Sequence, residues 1–117
     1  MNHRQFEAVV RQVMDRLPDW VRDALDNIDV LVVDEAEAHL GEDAQGLLGL
    51  YVGLPLTERD ADYAGELPDV IYIFRRPHLA LNLPPDILRD EIAKTLIHEI
   101  AHYFGLDDDR LEELGWD

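Results

Sequence analysis

The stretch HEIAHYFGLDDD, positions 98–109, constrains this chain more than any other. Two histidines stand four residues apart, a glutamate follows the first, and a glycine precedes three aspartates. The segment 84–105, PPDILRDEIAKTLIHEIAHYFG, reads as one long helix. Prolines open it, Asp86 and Asp90 lie in or near its first turn where the dipole favours them, and Gly105 is placed to end it. With His98 at zero on a helical wheel, His102 falls at about 40° and Glu91 at about 20°. Ile92, Ala93, Leu96, Ile97, Ile100 and Phe104 spread over about 120° to 260°. The two imidazoles therefore share a narrow polar face, the geometry a single cation needs. Glu99, at about 100°, falls at the edge of that site, within reach of a water beside the cation.

Two ligands do not complete a catalytic zinc, which usually takes three and a water. A glycine tolerates positive φ, so Gly105 lets the chain leave the helix sharply and turn back. Asp108, three residues on, could then face the same cation. An acidic triplet also suits a helix start, so Asp107 or Asp109 could instead serve as the cap of a last short helix over 108–114.

Upstream, Phe6, Val9, Val10, Val13, Met14 and Leu17 recur at helical spacing, with Asn2 as N-cap and Pro18 as the stop. A short second helix covers 18–26. Strands are expected at 28–35, 47–56 and 70–75, separated by polar loops at 35–46 and 57–69. The order α-α-β-β-β-α-α gives one α+β domain, 1–117, with a small mixed sheet of three or four strands. Trp20 and Trp116 are expected as packing anchors, and Met14 as an ordinary core residue.

Composition removes several functions. There is no cysteine, so a metal must be held by nitrogen and oxygen alone. The formal net charge is −16, from 26 acidic and 10 basic residues, and no basic stripe exists for nucleic acid or anionic membranes. A metal ion or a basic protein partner is electrostatically easier. No run approaches a membrane span, and the first twenty residues carry charges throughout, so a soluble, cytoplasmic protein is expected.

The pattern His98-Glu99-x-x-His102-x-x-Gly105-x-x-Asp108 resembles the zincins, and among them the metzincin-type consensus with aspartate as third ligand. More closely, the chain is similar to the small bacterial group of minimal zincin-like metallopeptidases, through LLGLYVGLPLTERD, VIYIFR and DDDRLEELGW as well as the motif. The resemblance implies one zinc ion held by His98, His102 and Asp108, with Glu99 as general base towards a peptide or small protein. It further implies that Val70–Phe74 forms the edge strand on which an extended peptide lies. The sequence departs from the metzincins after Asp108: nine residues come after it, and none is methionine. Metal binding is thus expected ahead of proteolysis. The alternative is a catalytically weak or inactive domain that binds metal or protein, and a weaker one is hydrolysis of small molecules. His78, Tyr63, Tyr72, Tyr103 and Arg110 are candidates for polarising a substrate carbonyl, and Glu91 for orienting a ligand.

Overall fold

The computed structural model describes residues 1–37, 40–59 and 69–114. His39, Tyr63 and Trp116 lie outside them. Helix α1 (His3–Asp15) begins with a reciprocal cap: Asn2 Oδ1 accepts from the Gln5 amide at 2.8 Å, and Gln5 Oε1 accepts from the Asn2 amide at 2.9 Å. The helix buries Phe6, Val9 and Val10. Helix α2 (Asp19–Ala24) follows Pro18 and buries Val21. Trp20 is not the anchor expected of it. It is 67% exposed, with its ring centroid 6.0 Å from that of Phe104.

Strands β1 (Ile28–Val33), β2 (Gly49–Val52) and β3 (Asp69–Phe74) form a three-stranded mixed sheet in the order β1-β3-β2. β3 runs parallel to β1 and antiparallel to β2. β3 is therefore the central strand, which corrects its expected place at the edge. Its burial explains the position: Ile71, Ile73 and Phe74 are fully buried, as a strand flanked on both sides requires. Among the described residues, β2 is the edge towards the long helix.

Helix α3 (Arg75–Leu79) follows β3 without a loop, and helix α4 (Pro85–Tyr103) covers the sheet. The core joins Phe6 and Val10 of α1, Ile71 and Ile73 of β3, and Ile92 and Leu96 of α4. Met14 packs partly buried against it, as expected. Helix α5 (Asp108–Leu114) closes the described chain. No helix among the described residues is long and apolar enough to cross a membrane.

His78, on α3, has no exposed surface and faces the core rather than the polar face of α4. Its ring meets Phe6 edge-on at 5.3 Å. Nδ1 stands 2.6 Å from the Phe74 carbonyl, which only accepts, so Nδ1 carries the proton. Nε2 lies 2.9 Å from Thr95 Oγ1, which in turn lies 3.0 Å from the Glu91 carbonyl. A neutral ring takes the threonine proton on Nε2. A charged ring would donate to Thr95, which would then donate to Glu91. Burial pushes the His78 pKa below its ordinary value, against upward pulls from the Phe74 carbonyl and the Glu91 charge.

Below the ordinary histidine value of 6.5 the unfolded chain binds this proton first, so stability falls as the pH is lowered towards the folded pKa. Urea unfolding between pH 7.5 and 5.5 is expected to show a steeper loss in the native protein than in His78→Gln. The difference should reach at most about 1.4 kcal/mol per pH unit. Parallel slopes would show that His78 binds protons equally in both states.

Candidate metal centre

Helix α4 ends as the glycine foretells. Tyr103 is the last residue of α4, Phe104 caps it, and Gly105 takes φ +91°. The Gly105 amide donates to the His102 carbonyl at 2.9 Å, and the Leu106 amide to the Ala101 carbonyl at 3.0 Å. These paired bonds are the Schellman arrangement, which reverses the chain within two residues. Asp107 then caps α5, its Oδ1 accepting from the Arg110 amide at 2.8 Å. With the cap assigned to Asp107, the Asp108 carboxylate is left to face α4.

It does so symmetrically. Asp108 Oδ1 lies 3.2 Å from His98 Nε2 and 3.2 Å from His102 Nε2. The imidazole centroids are 4.7 Å apart with their planes at 76°. His102 Nδ1 lies 3.0 Å from the Leu106 carbonyl, which only accepts, so Nδ1 carries a proton and Nε2 is the atom turned to Asp108. A carboxylate oxygen and an imidazole lone pair this close repel unless a proton or a cation lies between them. Donors of a tetrahedral ion of zinc size, about 2.0–2.2 Å from it, stand about 3.3 Å from one another. The three residues thus fit a single small cation. His98, Glu99 and His102 also offer donor atoms within 4.8 Å of one another.

Glu99 stands beside the two histidines, but on the buried side of the helix. It is 8% exposed, in the middle of the buried side of α4. Leu88, Ile92, Thr95, Leu96, Glu99 and Tyr103 bury an arc of α4 turned towards His98, with Ile97 and Ala93 only half-buried. Glu99 Oε1 accepts from the Tyr51 amide of β2 at 2.9 Å. Burial pushes its carboxyl above the usual range and the Asp108 charge adds to this, while His102 and the Tyr51 amide oppose it.

Several residues at this seam carry roles that the motif does not disclose. A Cβ on Gly49 would stand 2.7 Å from Thr95 Cγ2, 3.0 Å from the Tyr72 carbonyl and 3.2 Å from Glu99 Cγ. Only glycine lets β2 approach α4 so closely, and a glycine inside a strand is the sequence signal for such an approach. Behind β2, the Tyr51 hydroxyl donates to Asp69 Oδ2 at 2.8 Å, and Arg59 pairs with the same carboxylate. Asp69 is 3% exposed, and the Arg59 guanidinium lies 5.5 Å over the Tyr103 ring. A cleft of about 610 Å³ opens over the site, lined by β2, the 3-10 turn Leu56–Glu58, α4 and the Gly105–Asp108 turn.

The other candidates stand elsewhere. His78 is buried against Thr95, Tyr72 stacks on Phe74, the Tyr103 hydroxyl donates to the Ala24 carbonyl, and Arg110 pairs with Glu113. None of these is among the residues that line the cleft over the histidines. Gly49→Ala is expected to lower stability by about 1–3 kcal/mol, because the added methyl must push β2 from α4. The urea midpoint measures it, and an unchanged midpoint would mean the seam is loosely packed.

A family model of zincin-like metallopeptidases matches residues 25–116, most of the chain and all of the site. A search of the curated proteins finds no match. The matched span holds every donor atom and the buried glutamate described above, and with them the chain belongs to the zincin-like metallopeptidase family.

Proposed function

We propose that the protein is a zinc-dependent peptidase in which His98, His102 and Asp108 hold the ion and Glu99 is the general base. The observation that carries this reading is the convergence of Asp108 Oδ1 on both Nε2 atoms at 3.2 Å, with the Glu99 carboxylate beside them. A zinc ion bound there lowers the pKa of water and polarises a carbonyl.

The remaining work falls to the chain. Glu99 takes a proton from the attacking water as its oxygen adds to the scissile carbonyl carbon. As the C–N bond breaks, Glu99 returns that proton to the leaving amine. Its raised pKa suits both transfers better than an ordinary carboxylate would. The Tyr51 amide holds Oε1 in place, leaving the second oxygen for the proton.

An extended peptide would lie along β2 rather than β3. The Phe74 amide bonds to the Leu48 carbonyl, so even-numbered residues of β2 turn to the sheet. Gly49 and Tyr51 therefore turn their backbone groups to the open edge. The Tyr51 amide already serves Glu99, which leaves the carbonyls of Gly49 and Tyr51 for a substrate's N–H groups.

Equilibrium dialysis with zinc is expected to give one ion per chain. His98→Ala, His102→Ala and Asp108→Ala should each bind it at least tenfold more weakly, an effect at least as large as that of losing a supporting residue. Undiminished binding by Asp108→Ala would remove Asp108 as a ligand. Glu99→Gln should keep its zinc and lose about 10²–10⁴-fold in kcat/KM on a peptide library. Equal cleavage by this variant would remove Glu99 as base. A zinc-loaded wild type that cuts nothing would leave a metal-binding module without turnover.

A further inference from the structure

Lys94 is the single lysine of the chain; the other basic residues are arginines. It is exposed on α4, one turn before His98, where it lines a second recess of about 360 Å³. That recess also contains Leu47, Gly49, Glu91, His98 and Glu99, so it continues the cleft along β2. Five arginines, at 22, 59, 75, 76 and 110, are tied up in ion pairs. Among the described residues Lys94 has no such partner. Glu91 lines the same recess but makes no ion pair with it. The other end of the cleft carries Glu58, Asp107 and Asp108. The two ends therefore differ: acidic groups without a lysine or arginine at one, an ammonium without an ion-pair partner at the other, beside Glu91.

We propose that Lys94 is a specificity-determining residue that receives a carboxylate of the bound peptide. The proposal rests on the peptidase reading above, and it names the substrate class. Four residues of helix place Lys94 about 6 Å from His98 along the axis. An extended peptide rises about 3.3 Å per residue, so the recognised group lies about two residues from the scissile bond. In a chain of net charge −16 an anionic ligand is repelled almost everywhere, so one free cation at the mouth of the cleft carries disproportionate weight. The carboxylate is either the peptide's own C-terminus or an Asp or Glu side chain. The two share one chemistry and are separated by experiment.

Zinc-loaded Glu99→Gln protein is titrated into fluorescein-labelled octapeptides, read by polarisation. One series carries Glu or Gln scanned through each position, and the other carries a free or an amidated C-terminus. The acid is expected to bind roughly fivefold more tightly than its neutral counterpart at one position or at the terminus, the scale of an exposed ion pair. Adding Lys94→Ala should abolish the difference, Lys94→Arg should retain it, Lys94→Glu should reverse it and Glu91→Gln should enlarge it. A preference confined to free acids assigns the terminal carboxylate, and one confined to a scanned position assigns a side chain. Peptides bound without preference, or with a preference that survives Lys94→Ala, would overturn the proposal, as would no measurable binding. If binding depends on Lys94 while zinc-loaded wild type cuts none of these peptides, hydrolysis fails and the recognition site stands. If wild type cuts them at rates blind to Lys94, the reverse holds.

Discussion

The close approach of β2 to α4 at Gly49 governs the geometry of this protein. A side chain there would meet Thr95, the Tyr72 carbonyl and Glu99 at once. Because glycine keeps that space open, the Glu99 carboxylate reaches the Tyr51 amide at 2.9 Å and remains beside the histidines. A buried carboxylate without such a partner would carry a large desolvation cost. With it, Glu99 stays inside the protein and keeps a raised pKa. The same contact fixes the edge strand relative to the two imidazoles, so one glycine sets both the place of the Glu99 carboxylate and the rim of the cleft.

The polar groups behind the site are as fully partnered as Glu99. No buried side-chain nitrogen or oxygen among the described residues lacks a hydrogen-bond partner. Asp69 joins Tyr51 to Arg59 behind β2, and Thr95 joins His78 to α4 in front of β3. Both networks tie an element next to the site back to the sheet. In a small domain, where little apolar area is available per residue, such ties hold side chains that packing alone would leave loose.

The range of each interaction decides how far the sequence discloses it. The Asn2 cap, the long helix and the turn at Gly105 are local, and their signals lie within a few residues of one another. The fit of His98, His102 and Asp108 is legible for the same reason, since helix period and one glycine turn determine it. Strand order is not local. VIYIFR reads as a strand, but its place between β1 and β2 is visible only in how completely Ile71, Ile73 and Phe74 are buried. Helix α3 escapes notice because its five residues, RRPHL, come directly after the strand and show no period. The burial of Glu99 is not visible on the wheel because α4 is apolar on both flanks. Ile97 and Ala93 suggest a core direction that the sheet does not take. Trp20 shows that size and apolarity do not ensure burial, since it is exposed while the smaller Val21 and Leu25 are buried.

Asp108, the proposed third ligand, stands on different ground from the two histidines. His98 and His102 have side chains 26% exposed on a helix fixed by the core, whereas the Asp108 side chain is 79% exposed. Its position is set by helix α5, which it begins. Asp107 caps α5, the Leu111 amide bonds to the Asp107 carbonyl at 3.0 Å, and Leu111 is only 1% exposed. Burying one leucine contributes about 1.5–3 kcal/mol towards docking the two turns of α5 on the domain. The aspartate at the start of that helix is thereby carried back over α4. The Schellman bonds at Gly105 reverse the chain, and Leu111 keeps it reversed. The Asp108 carboxylate, though largely exposed, is thereby held 3.2 Å from both Nε2 atoms.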